Sequence, residues 1–194
     1  RPLGYAARRL FAYNGTSEGH LRLTTRQFEP SGLYTESDLW LTVSDKTFTW
    51  KTQTWVPRLE QPRTADIRMD SAGRLRVQKN TEQQQFLQRT PVMLPEPLIT
   101  EFAAGLSKTS VQEMVIDVLM GNGIVVPTRL SLISDEKAVV RSVNAATIVR
   151  AEYLHMQGTF DDFLFDSDGH LLGCYVQQPR KPGQLWDAAS QEQL

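Results

Sequence analysis

Residues 112 to 134 constrain the fold more than any other stretch, because two arms of alternating side chains meet there at Gly121-Asn122-Gly123. In the first arm Met114, Ile116, Val118 and Met120 form one row, and Glu113, Val115, Asp117 and Leu119 form the opposite one. In the second arm Ile124, Val126, Thr128, Leu130 and Leu132 face away from Val125, Arg129, Ser131 and Ile133. Successive side chains of an extended strand point to opposite faces, so this period of two predicts a long hairpin. The glycines permit the positive φ that its turn requires. Arms of about ten residues run roughly 30 Å, a length that suits a large curved antiparallel sheet. Pro127 has no N–H to give to a ladder, which predicts an edge strand or a bulge at that point.

The same alternation recurs along most of the chain. A short apolar run from Arg8 to Tyr13 leads into Asn14-Gly15, a strong turn signal, and His20 to Phe28 returns. Leu33 to Val43 and Thr47 to Val56 continue a meander, the latter setting Phe48 and Trp50 against Thr49 and Lys51. After a loop framed by Pro57 and Pro62, Asp70-Ser71-Ala72-Gly73 predicts a second tight hairpin, and the polar run Glu82 to Gln85 a loop or a short solvated strand. One helix is expected. Pro97 suits its first turn, Glu96 and Glu101 suit its positive N-terminal end, and Leu98, Ile99, Phe102, Ala103 and Leu106 form one apolar stripe. Strands follow at Ala138 to Val143 and Thr147 to Met156, and a closing hairpin turns at Asp166-Ser167-Asp168-Gly169. These elements predict a mainly β, β-rich α+β fold: a strongly curved antiparallel sheet or half-open barrel of 9–11 strands, with one short helix plugging its concave face. Residues 1–178 read as a single domain and 179–194 as a loosely held tail on which Leu185 and Trp186 can dock.

Charge and motifs exclude more than they assign. With 21 Lys and Arg against 22 Asp and Glu, the net charge of −1 argues against nucleic acid as a partner. The only cysteine, Cys174, leaves no internal disulfide framework. No apolar run is long enough to span a membrane, and the opening Arg1-Pro2-Leu3-Gly4 does not read as a signal peptide. His20, His155 and His170 match no metal-ligand spacing. Nucleophile-elbow, P-loop and dinucleotide signatures are missing as well. Asp161, Asp162, Asp166 and Asp168 supply carboxylate oxygens of the kind calcium takes, but the register places Tyr175 where an EF-hand requires glutamate, so a plain turn is expected. No cofactor or metal is expected.

The apolar rows carry the functional expectation. Phe48, Trp50, Met114, Ile116, Val118 and Met120 line one concave face, and Phe102 and Leu106 on the helix act as a lid over an apolar ligand. The competing reading is that these rows are a fully packed core. The layout of meander, helix, long hairpin and the closing Phe163-Leu164-Phe165-Asp166-Ser167-Asp168-Gly169-His170-Leu171-Leu172 resembles bacterial envelope domains of unknown function. Those resemble in turn the half-open barrel with a helical plug of periplasmic lipoprotein carriers and glycolipid-binding proteins. The resemblance implies a periplasmic or envelope location and non-enzymatic carriage of a lipid, glycolipid or acyl chain. The alternatives are an envelope protein–protein interaction or assembly module, pairing a partner strand near Pro127, and a lipid-directed hydrolase or isomerase using Asp161 or Asp162 as base.

Overall fold

The computed structural model describes residues 5–13, 20–28, 32–42, 47–80, 82–87, 93–134, 145–179 and 183–187. The turn expected at Asn14-Gly15 and the strand expected at Ala138 to Val143 lie outside the described residues. The fold is mainly β with one short α-helix. Among the described residues fourteen strands form two seven-stranded sheets, where the sequence pattern predicts one sheet of 9–11. The chain divides into two compact units, residues 1–89 with Met120–Ile124, and residues 90–119 with 125–194.

The first unit is an antiparallel meander of β1 (Tyr5–Tyr13), β2 (His20–Phe28), β3 (Tyr34–Thr42), β4 (Thr47–Trp55), β5 (Arg63–Met69), β6 (Arg74–Lys79) and β7 (Glu82–Leu87), with strands in chain order. The run Glu82 to Gln85 is thus a solvated edge strand. Register brings Leu23, Leu39, Trp50, Ile67 and Val77 into one row across five strands. Each is at most 2% exposed. The backbone at Met120–Ile124 adds to this unit: Gly121 lies against the Trp50 ring and the Thr52 methyl, and Gly123 against Val77 and Lys79.

The second unit begins with β8 (Met93–Pro95), a single 3₁₀ turn at Glu96–Leu98 and α1 (Ile99–Leu106). Pro97 sits in that first turn as its fixed φ favours, and Ile99, Ala103 and Leu106 of the apolar stripe are buried, with α1 against β11 (Thr147–Tyr153) and β12 (Phe160–Phe165). The sheet continues through β9 (Glu113–Leu119), β10 (Val125–Ile133), β11, β12, β13 (Leu171–Gln177) and β14 (Gln184–Asp187), again in chain order. Only the β8–β9 pair is parallel, as the intervening helix allows. Within the tail, Leu185 and Trp186 lie in β14, paired with Tyr175 and Cys174 of β13.

Pro127 departs from expectation in an instructive way. β10 is interior, between β9 and β11, and its register against both runs without a shift, so Pro127 marks neither an edge nor a bulge. Met120 N–H donates to Ile124 O at 2.8 Å and Leu132 N–H to Gln112 O at 2.9 Å. Bonds between β9 and β10 therefore fall on the even-numbered rungs, and the Pro127 nitrogen points toward β11. There the ladder is ending: Leu154 N–H still donates to Pro127 O at 2.9 Å, one rung beyond the last strand pair Thr128–Tyr153. The missing donor falls where a donor is least needed.

One turn occurs twice. In Asp70-Ser71-Ala72-Gly73-Arg74 the Asp70 carboxylate accepts from the N–H groups of Ala72 and Arg74, at 3.0 and 2.9 Å, and Gly73 takes φ +74°. In Asp166-Ser167-Asp168-Gly169-His170 the Asp166 carboxylate accepts from Asp168 and His170, at 2.9 and 2.8 Å, with Gly169 at φ +83°. Each turn joins the fifth and sixth strands of its sheet.

Gly123, at φ +79° with no room for a Cβ beside Val77, tolerates a side chain poorly. Replacing Gly123 with Ala is expected to cost roughly 1–3 kcal/mol in urea denaturation. Gly121→Ala, whose methyl would meet the Trp50 ring at 3.7 Å in ordinary contact, is expected to fall within about 1 kcal/mol of the parent.

Candidate functional site

The side chains expected to line an apolar site divide between the units. Phe48, Trp50 and Met120 belong to the first, and Phe102, Leu106, Met114, Ile116 and Val118 to the second. Phe48, Trp50, Leu106, Ile116 and Val118 are buried, whereas Phe102, Met114 and Met120 are half-buried. The Trp50 indole N–H is enclosed without a hydrogen-bond acceptor among the described residues.

The second unit holds the most perturbed chemistry, and it begins with two adjacent carboxylates in an apolar strand. Neighbours on a strand face opposite ways, so in Phe160-Asp161-Asp162-Phe163 the two acids cannot share an environment. Asp162 pairs in register with Arg150 of β11. The Arg150 guanidinium forks onto its carboxylate, Nε to Oδ1 at 2.7 Å and Nη2 to Oδ2 at 2.8 Å, while the Phe160 ring lies 4.1 Å from the guanidinium carbon. Asp162 is 1% exposed, so this pair is a buried structural fork, and the carboxylate favours the charged form of Arg150.

Asp161 faces the other side, where it accepts a hydrogen bond from the Tyr153 hydroxyl at 2.7 Å. Burial pushes its carboxyl up to about 6. The Tyr153 bond lowers the pKa, and the negative charges of Glu96 and Asp162 raise it further. The Tyr153 phenol is itself raised well above its ordinary range, by burial first and then by Asp161. Sequence spacing singled out Asp161 and Asp162 but neither Tyr153 nor Glu96, because only the β11–β12 register and the 3₁₀ turn bring those groups together. Asp117, in the row opposite the expected lining, is 3% exposed, opposite Pro127 on β10 and Met93 on β8, and its Oδ2 has no hydrogen-bond partner among the described residues.

Asp166, Asp168 and His170 place ligand atoms within 4.8 Å of one another. The turn accounts for that arrangement. Asp166 spends one oxygen on two backbone N–H groups and the other on His170 Nδ1 at 3.2 Å, and the Lys108 side chain lies against Gly169. Asp70 builds the same loop with alanine and arginine in place of Asp168 and His170.

No protein-family model and no curated protein matches this chain. Among solved structures it is similar to the beta-barrel-like protein of domain of unknown function DUF1849 from Brucella abortus. That similarity has a TM-score of 0.55 at 11% identity, covering 95% of this chain and 86% of the other. The likeness is one of fold.

A carboxyl whose pKa is raised by folding favours the folded state below its unfolded pKa, and that advantage is lost as pH climbs through the folded value. For Asp161 the window runs from 3.8 to about 6, corresponding to roughly 3 kcal/mol at most. Asp161→Asn keeps an acceptor for Tyr153 and removes the charge. The variant is expected to gain on the parent progressively across this window in urea denaturation, and to hold a constant advantage above it.

Proposed function

We propose that this chain is a non-enzymatic binding protein of the bacterial cell envelope that works with a packed interior and engages its ligand on an outer sheet face. The observation carrying this reading is the cross-strand row Leu23, Leu39, Trp50, Ile67 and Val77, each at most 2% exposed, so the apolar surface of the first sheet is already spent on the fold. A non-enzymatic role is supported by the acids of the second unit, since Asp162 is held by Arg150 and Asp161 by Tyr153. Both carboxylates serve sheet partners. The envelope location follows the resemblance in sequence layout.

A second reading is carriage of an apolar ligand with one oxygen acceptor, and the enclosed, acceptor-free indole N–H of Trp50 favours it. An orphaned donor of this kind costs about 1–3 kcal/mol, which a bound oxygen would recover. The half-buried Met120 of the same unit is the adaptable member of that proposed lining.

Native mass spectrometry of protein purified without detergent separates the two. An apo mass, with no lipid recovered by organic extraction, is expected. A stoichiometric lipid would overturn the surface-binding reading in favour of carriage. Ile116→Glu sharpens the distinction: with Ile116 inside a filled core, the variant is expected to lose cooperative folding, by roughly 3–5 kcal/mol. A folded Ile116→Glu protein that merely fails to take up lipid would support the cavity.

A further inference from the structure

We propose that the outward face of β4, β5 and β6 is a binding site for an acidic oligosaccharide, with Trp40 as the platform for a sugar ring and Arg76 as the partner of its carboxylate. This names the ligand class for the surface-binding reading and rests on it.

Register sets the arrangement. Trp40 on β3 pairs with Thr49 on β4, Thr49 with Arg68 on β5, and Arg68 with Arg76 on β6, giving one continuous row on the face opposite the buried one. Trp40 is 46% exposed. A depression of about 370 Å³ is lined by these four residues together with Thr47, Phe48, Met69, Asp70 and Arg74. A second, of about 280 Å³, follows along the same three strands and is lined by Lys51, Thr52, Gln53, Thr64, Ala65, Asp66, Gln78 and Asn80. Together they form a trough running roughly 20 Å along β4 from Thr47 to Gln53.

Charge gives the trough its sign. Asp66 holds Arg68 at 2.9 Å and Asp70 holds Arg74 at 2.8 Å, whereas Arg76 has no ion-pair partner among the described residues and stands directly opposite Arg68. Like charges opposite each other across a strand pair repel, and an anion bound between them relieves that repulsion. The bias extends to the whole unit. Its sequence carries fourteen Lys and Arg against nine Asp and Glu, whereas the second unit carries seven against thirteen. The near-zero net charge of the chain conceals a cationic unit and an anionic one.

The lining selects among anions. Hydroxyls and amides from Thr47, Thr49, Gln53, Thr64, Gln78 and Asn80 suit the many hydroxyls of a saccharide, and the carboxylates of Asp66 and Asp70 accept from such hydroxyls while repelling a continuous phosphate backbone. Trp55, 43% exposed on the same outward row of β4 two residues beyond Gln53, adds a second aromatic surface to that of Trp40. Three strand spacings separate Trp40 from Arg76, roughly 14 Å, so one sugar reaches only one of them and an oligomer reaches both.

The test is calorimetric titration of the full chain with trigalacturonate, with galacturonate monomer, neutral maltotriose, anionic phospholipid vesicles and oligothymidylate as comparisons. Saturable binding of trigalacturonate is expected, about tenfold tighter than the monomer, with none for maltotriose. Arg76→Glu and Arg76→Gln are each expected to lose about tenfold or more, with thermal unfolding unchanged, and Trp40→Ala to lose both affinity and the ligand-induced change in tryptophan fluorescence. Absence of saturable binding, an affinity equal to the parent's in both Arg76 variants, or tighter binding to vesicles or oligothymidylate would overturn the proposal. Those results leave the surface-binding reading standing, because that reading fails on a different outcome, a lipid recovered from the purified protein.

Discussion

Strand register is the constraint on which the rest of this molecule depends. The row through Leu23, Leu39, Trp50, Ile67 and Val77 stays covered only while five consecutive strands keep their pairing. A slip of one residue in any of them would carry its apolar set to the opposite face and bring threonines, lysines and arginines inward. The same slip would dissolve the row of Trp40, Thr49, Arg68 and Arg76, since the two rows are the two sides of one alternation. Core and outer surface are therefore specified together.

In the second sheet, register also assigns electrostatic roles. Asp161 and Asp162 are neighbours in sequence, yet one meets an arginine fork and the other a phenol beside a further carboxylate. Asp162 meets a cation and two hydrogen bonds, whereas the surroundings of Asp161 disfavour its charged form through burial and like charge. Two chemically identical side chains thus acquire different surroundings from a rotation of half a turn along a strand.

Features with local causes were legible in the sequence. The long hairpin appears as β9 and β10 around Gly123, the helix begins at the turn containing Pro97, and both Asp-Ser-x-Gly turns fall where the residues place them. Features set by non-local pairing were not. The division into two sheets, the parallel three-residue β8 and the strand containing Leu185 and Trp186 depend on which edges remain open once other strands have paired. Pro127 illustrates the difference: its missing donor is a local fact, but its tolerance depends on where the β10–β11 ladder happens to stop. The adjacent acids of β12 did carry a readable signal, since alternation obliges one of them to face the apolar side. The identity of its partners, Tyr153 and Glu96, waited on the fold.

The recurrence of one turn between the fifth and sixth strands of each sheet bears on how the chain finds its structure. Throughout both sheets, spatial neighbours are sequence neighbours, so pairing proceeds by short loop closures and not by long-range searches. In each half, one closure is pre-set by an aspartate that gathers its own backbone before any distant strand arrives. Two hairpins can therefore nucleate independently and recruit strands outward in both directions. This shortens the loop closures that a β-rich chain must make before its strands can pair.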